Sequence, residues 1–355
     1  MIGTSWWADF FYLGNLQTHE GAELAAVCGR NRTRAQELAD KYGVGWVYTD
    51  YRKMLNSGEL DVAIVATPEN LHYPMVMTAL DAGLHVACEK PMAFTAAEAR
   101  EMLEKAEAVG VKHMVSFTKR WIPGYRHIKH LLESGYLGQP RQALFQWIVD
   151  WNLPRTRYLW YFDRSHAHGV VSQMGAHIID LARWFWGEIV RVQANFRSFV
   201  PVLTRDGRLA TGENDTAALV LDFANGAQGI IHLSNISRSA PRLFEASQLT
   251  TLIGENGSLR AEVDPWTEKE DIYGARNDQD SVELQTVPDH YYGEVDRSNF
   301  WEIFRKQSLG PRAFVDAIIE DTAGVPTFFD GYQTQRVIEA ALESATTGSA
   351  VTLDE

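Results

Sequence analysis

Short runs of aliphatic and β-branched residues alternate with amphipathic stretches through the first third of the chain. Strand candidates fall at residues 23–28, 46–49, 61–66, 84–88 and 112–116, and most are separated by helical patterns of roughly 10–15 residues. Asn31 can cap a helix that stops at Gly43, and Thr95 with Glu98 makes a capping box ahead of a helix ending near Gly110. This alternation predicts a parallel sheet covered by helices on both faces, a doubly wound nucleotide-binding α/β domain over residues 1–118.

Past residue 119 the pattern shifts to longer strands joined by tight turns. Asn225-Gly226 and Asn256-Gly257 each separate two strand-like runs, and this dipeptide favours the two-residue hairpin. Phe145, Trp147, Val149 and Trp151 fall on one face by period two. These features predict an α+β domain over residues 119–355 with a large, mainly antiparallel open sheet. Helices at about 119–134 and 170–186 can cover one face, and a second subunit can cover the other. No internal repeat, low-complexity segment or obvious linker interrupts the pattern.

Composition narrows the partners. A chain of 355 residues has room for two ordinary domains, and 45% apolar with 22% charged residues is the balance of a soluble globular protein. No run approaches the ~18 apolar residues of a membrane helix, and the first residues lack a secretory pattern, so a cytoplasmic protein without a membrane partner is expected. A formal charge of −13 argues against nucleic acid. Cys28 and Cys88 each close an apolar run and read as buried thiols, with no metal-ligand spacing.

The chemistry starts at Gly3-Thr4-Ser5-Trp6-Trp7-Ala8, a G-x-S-x-x-A version of the dinucleotide fingerprint. The first glycine permits the tight turn, and the small second and third positions let backbone approach a pyrophosphate and helix pack on strand. Ser5 replaces the middle glycine, and only Met1 and Ile2 stand where a central strand belongs. At the end of the next strand, where an NAD enzyme carries an acid for the ribose hydroxyls, the sequence is Gly29-Arg30-Asn31-Arg32. Guanidinium groups there favour a 2′-phosphate, so NADP is preferred over NAD, with Arg30 as the reader; Arg32 and Arg34 also fit solvated helix positions.

Thr67-Pro68-Glu69-Asn70-Leu71-His72 follows the third predicted strand, at the edge where parallel sheets bind ligands; a plain turn with Asn70 as helix cap is the alternative. The fourth strand delivers Glu89-Lys90-Pro91 to the same edge. Lys90, its backbone fixed by Pro91, can hydrogen-bond a substrate hydroxyl and stabilise the alkoxide. Within 169–187, Gln173, His177, Asp180 and Trp184 make a polar stripe at helical spacing. A histidine with an aspartate three residues on can serve as a general base with an orienting partner.

Glu89-Lys90-Pro91, the Thr67-Pro68-x-x-x-His72 edge and Gly175-x-His177-x-x-Asp180 together resemble the glucose–fructose oxidoreductase/inositol dehydrogenase (Gfo/Idh/MocA) family, and the likeness continues through 253–259 and 330–352. The resemblance implies an N-terminal Rossmann domain, a C-terminal domain with a large open sheet, homodimers or homotetramers through that sheet, and NAD(P)-dependent oxidation or reduction of a sugar or cyclitol. It makes Lys90 and His177 the catalytic pair. It places Glu89 and Arg120 beside the cofactor, and Arg120 also on the substrate side with Gln173 and Asp180. An aspartate common in the family four residues before the histidine is Gln173 here. A neutral amide orients a hydroxyl without taking its proton, which leaves three readings: His177 as sole base with Asp180 behind it, a reaction other than simple alcohol oxidation, or binding without turnover, and the first is preferred.

Between Trp147 and His168 lie Trp151, Arg155, Arg157, Trp160, Tyr161, Arg164 and His166. Aromatic faces suit pyranose C–H groups, and Trp160 and Tyr161 are the substrate candidates; Trp147 and Trp151 follow the strand period and read as sheet packing. Within the resemblance, two other activities stay open: an NAD-dependent glycosidase with recycled cofactor, and a non-catalytic dinucleotide or sugar sensor.

Overall fold

A computed structural model describes residues 1–151, 153, 156–237, 247–264, 269–323 and 326–353. Five short parallel strands, β1 (Ala26–Cys28), β2 (Trp46–Tyr48), β3 (Val62–Val65), β4 (His85–Cys88) and β5 (His113–Val115), form the first sheet as two groups, β1-β2 and β3-β4-β5. Ile2 joins them, bridging in parallel to Cys28 on one side and Val65 on the other. The central strand is thus a single residue, and the order β2-β1-Ile2-β3-β4-β5 reverses direction about it. In open α/β sheets that reversal marks the ligand crevice.

The caps expected at Asn31 and Thr95 are present, whereas Leu71 and not Asn70 is the N-cap of His72–Asp81. Asn31 Oδ1 accepts the Arg34 N–H at 3.1 Å to start Arg32–Tyr42, and Gly43 ends that helix at φ +70°. Thr95 and Glu98 complete the capping box of Ala96–Val109.

The chain divides into two compact units by its internal contacts, each drawing on two stretches of sequence. One unit holds Met1–Phe117 with Trp301–Gln335; the other holds Thr118–Phe300 with Arg336–Glu355. The return of 301–335 has a packing cause. Trp301 lies edge-on to Trp7 and Phe10, Phe304 edge-on to Phe11, and Phe328 stacks on His113.

In the second unit nine strands make one sheet: β6 (Pro140–Ile148), β7 (Ile189–Arg197), β10 (Thr216–Phe223), β11 (Gln228–Ser234), β12 (Gln248–Gly254), β13 (Gly257–Asp264), β14 (Lys269–Arg276), β15 (Glu283–Leu284) and β16 (Val351–Thr352). Two short strands, β8 (Val202–Leu203) and β9 (Leu209–Ala210), pair apart from it. The order is β15-β14-β13-β12-β6-β11-β10-β7-β16, and every pairing is antiparallel except β6 with β11. Both predicted Asn-Gly hairpins form. Helices Val170–Gln173 and Gly175–Trp186, separated at Met174, pack on β6, β10 and β11. On the opposite face the register lines up Arg260, Thr251, Leu144, Ile230 and Val220, with Leu144 41%, Ile230 47% and Val220 48% exposed.

Candidate active site

The fingerprint turn leaves the switch point directly. Gly3 has φ +114°, and a Cβ there would lie 2.2 Å from the Ala66 carbonyl oxygen. A side chain at Gly29 would meet Thr4 Cγ2 at 2.5 Å. Gly3-Thr4-Ser5 is therefore pressed against the carboxyl ends of β1 and β3, a compactness that only these glycines allow and that fits a dinucleotide turn. Ser5 Oγ accepts the Ala8 N–H at 3.2 Å, and Trp6 is 62% exposed.

Of the arginines after β1, Arg34 reaches Glu37 at 3.1 Å and Asp9 at 3.6 Å. Arg30 is exposed and has no carboxylate partner among the described residues. Asn31 is engaged as a helix cap.

The β3 and β4 edges are tied together. His72 is buried, with Nε2 2.8 Å from the Thr67 carbonyl oxygen and Nδ1 2.9 Å from that of Pro91. Burial holds its pKa below the ordinary histidine value, against the pull of those two carbonyls. The ring braces one loop against the other. Thr67 and Pro68 are partly buried in the braced loop, where Glu69 to Leu71 form one 3-10 turn. The Lys90-Pro91 peptide is cis. Glu89 N–H donates to Val65 O at 2.9 Å, and the Glu89 carboxylate receives Trp7 Nε1 at 2.7 Å and Tyr12 OH at 2.8 Å. Lys90 is partly buried, and loss of hydration lowers its pKa while Glu89 and Glu69 pull the other way.

In the second unit Arg120 grips Asp180 through two contacts, Nε to Oδ2 at 2.9 Å and Nη2 to Oδ1 at 2.6 Å, and Asp180 is wholly buried. Asp180 is thereby engaged to a guanidinium as well as lying on the His177 helix. His177 is buried with its ring 6.1 Å from that of Trp147. Gln173 ends the short helix preceding it. Trp160 is 36% exposed beside buried Tyr161, edge-on at 5.9 Å. Trp147 and Trp151 contact each other edge-on at 5.5 Å, in keeping with sheet packing. Arg164 pairs with Glu213 at 2.5 Å and His166 approaches Asp163 at 3.4 Å. Arg155 lies outside the described residues.

Four residues escaped the sequence reading. Glu69, 1% exposed, brings a second carboxylate to bear on Lys90 and was legible only as part of a turn. Tyr12 gave no signal because it sits in an all-apolar run. Asn214 Oδ1 accepts the Val171 N–H at 3.1 Å while its Nδ2 donates to His168 O at 2.8 Å, fixing the start of the helix that carries Gln173. Lys119 is buried with Nζ 4.1 Å from the Trp147 ring centroid and donates to Gln248 Oε1.

Among the described residues no helix is long and apolar enough to cross a membrane. Residues 1–117 match the profile of an oxidoreductase family with an NAD-binding Rossmann fold, and residues 125–260 match the GFO/IDH/MocA C-terminal domain. Levoglucosan dehydrogenase of Pseudarthrobacter phenanthrenivorans is 27% identical over 89% of this chain and 85% of its own. D-glucoside 3-dehydrogenase of Escherichia coli is 30% identical over 66% of this chain and 68% of its own. The structure of a levoglucosan dehydrogenase in complex with NADH and levoglucosan superposes with a TM-score of 0.87 at 22% identity, covering 100% of this chain and 98% of that one. With both profiles matched in order along the chain and a 30% identical relative covered over 68% of its length, this chain belongs to the GFO/IDH/MocA oxidoreductase family.

Proposed function

We propose that this protein oxidises a secondary alcohol of a sugar or cyclitol, or reduces the matching ketone, with a nicotinamide dinucleotide. The observation that carries the reading is the placement of Lys90, a partly dehydrated amine held at the carboxyl end of β4 beside the braced β3 edge. An amine with a lowered pKa hydrogen-bonds a hydroxyl and stabilises the alkoxide that forms as hydride leaves. The bound nicotinamide supplies the hydride acceptor or donor. His177 takes the hydroxyl proton as sole base, since Gln173 is an amide and Asp180 is engaged by Arg120. Exposed Trp160 offers a flat face for a sugar ring. Relatives named for levoglucosan and D-glucosides support the carbohydrate class.

Arg30, lacking a carboxylate partner among the described residues, favours a 2′-phosphate and hence NADP over NAD. The exposed Leu144, Ile230 and Val220 row supports a homodimer or homotetramer through the large sheet.

The test is a reduction screen of NAD⁺ and NADP⁺ against aldoses, anhydrosugars, inositols and glycosides, using wild type, Lys90→Ala and Arg30→Asp. Lys90→Ala should lower kcat by on the order of 10²–10⁴, and Arg30→Asp should reverse the dinucleotide preference. Undiminished turnover in Lys90→Ala removes the catalytic assignment. Release of aglycone without net reduced cofactor favours the glycosidase reading instead.

A further inference from the structure

The helix after the fingerprint turn changes its winding. Residues Ala8–Leu13 form a π-helix flanked by α-helical turns. At 3.6 residues per turn, side chains five apart point about 140° away from each other. A π-turn closes i→i+5 hydrogen bonds and brings them onto one face. Trp7 and Tyr12 are five apart. Both donate to the same atom, Glu89 Oε1, the indole N–H at 2.7 Å and the phenol at 2.8 Å. The other oxygen, Oε2, accepts the Lys90 main-chain N–H at 3.2 Å. Glu89 is 8% exposed, so this carboxylate depends on those donors for what water would otherwise supply.

We infer that Trp7 and Tyr12 are positioning residues for the reaction proposed above: the π-turn aims their two donors at Glu89, and Glu89 fixes the Lys90 loop and the charge the amine feels. The inference rests on Lys90 being catalytic. It also accounts for the winding, because an unbroken α-helix would turn one of the two donors away. π-turns are rare and gather at functional sites.

Removing one donor leaves a buried carboxylate short of a hydrogen bond and loosens its hold on the Lys90 loop. Replacing the carboxylate by an amide removes a charge that favours the ammonium form of Lys90, so in Glu89→Gln the rate limb governed by that amine moves to lower pH. The other groups facing this pair are Glu69 toward Lys90, and Cys88, His72 and the Tyr12 phenol toward Glu89. In the variants below all of them stay except the single group removed.

The experiment compares pH–rate profiles of wild type, Tyr12→Phe, Trp7→Phe and Glu89→Gln with the best substrate of the screen. Tyr12→Phe and Trp7→Phe should each lower kcat about tenfold, the scale of one hydrogen bond to a charge. Glu89→Gln should lower kcat at least as far and move the limb down by roughly half a pH unit or more. Dinucleotide affinity in Tyr12→Phe should stay within about twofold, since Tyr12 is wholly buried. Loss of thermal stability with kcat and the limb unchanged would make the pair merely structural and overturn the inference. Should Tyr12→Phe fail to fold, Trp7→Phe, which keeps an aromatic ring on a partly exposed site, decides alone. Full activity in Lys90→Ala is a separate result, and it removes the underlying reading.

Discussion

Two buried carboxylates, Glu89 in the first unit and Asp180 in the second, are secured by opposite means. In the first, the Glu89 carboxylate is held by an indole, a phenol and a main-chain N–H. In the second, charge meets charge: Arg120 with Asp180, Arg183 with Glu188, Lys269 with Glu262. Uncharged donors hold an ion without cancelling it, so Glu89 keeps a field that acts on its neighbour Lys90. A paired ion has little field left to lend. The contrast separates residues that tune chemistry from residues that fix architecture, although both kinds look alike in sequence as charged positions near a motif.

The largest expected effect breaks a pair. Arg120→Met strands the wholly buried Asp180, which should cost about 3–5 kcal/mol in chemical denaturation, whereas removing both partners together as Arg120→Met/Asp180→Leu should cost much less. If Arg120→Met destabilises no more than Tyr12→Phe does, the two modes of holding charge are not distinct. The next effect concerns the sheets. The first is flanked by helices, but the second leaves the Leu144, Ile230 and Val220 row exposed. If the proposed oligomer forms through this face, Ile230→Glu should dissociate it in sedimentation velocity while changing monomer stability by about 0.5 kcal/mol or less. A wild-type protein that sediments as a monomer would remove that use of the face.

Much of the first unit could be read from sequence because parallel strands, caps and turns are local signals: Asn31, Gly43, Thr95 and Glu98 stand where their chemistry demands. Hairpins at Asn225-Gly226 and Asn256-Gly257 were legible for the same reason. The central strand was legible only as a shortfall, Met1 and Ile2 standing where a strand belongs, because the pairing of Ile2 is defined by its two neighbours. The return of 301–335 was not legible, being fixed by Trp301 and Phe304 meeting rings near the other end of the chain. The π-turn hides within Trp6-Trp7-Ala8-Asp9-Phe10-Phe11-Tyr12-Leu13, where apolar residues fill every face and no spacing stands out. His177 and Asp180 announced a dyad by helical spacing, but the Arg120 grip on Asp180 comes from 60 positions away. Spacing says which side chains share a face; it says nothing of what a distant element brings to that face.

The smallest effect sharpens the comparison inside the second unit. Glu270 lines a cavity of about 220 Å³ with Asp264, Lys269, Tyr292 and Arg297, and accepts the Gly124 N–H at 2.5 Å. Like Glu89 it is held by an uncharged donor, but by one where Glu89 has three. Burial pushes its pKa up to about 7, against the pull of that N–H and of Arg297. Its ordinary value is 4.5, so between roughly pH 4.5 and 7 the folded protein keeps a proton that the unfolded chain releases. Folding stability therefore falls as pH rises through that window. Glu270→Gln preserves an acceptor for Gly124 and abolishes the titration. It should match wild type near pH 4 and exceed it at pH 8 by roughly 1–3 kcal/mol, measured by urea unfolding at both values. Should the variant instead lose stability in parallel with wild type across the window, the slope belongs to another group. A single main-chain donor would then hold a buried carboxylate as well as the three around Glu89 do, and donor number would cease to explain why the π-turn aims two side chains at one oxygen.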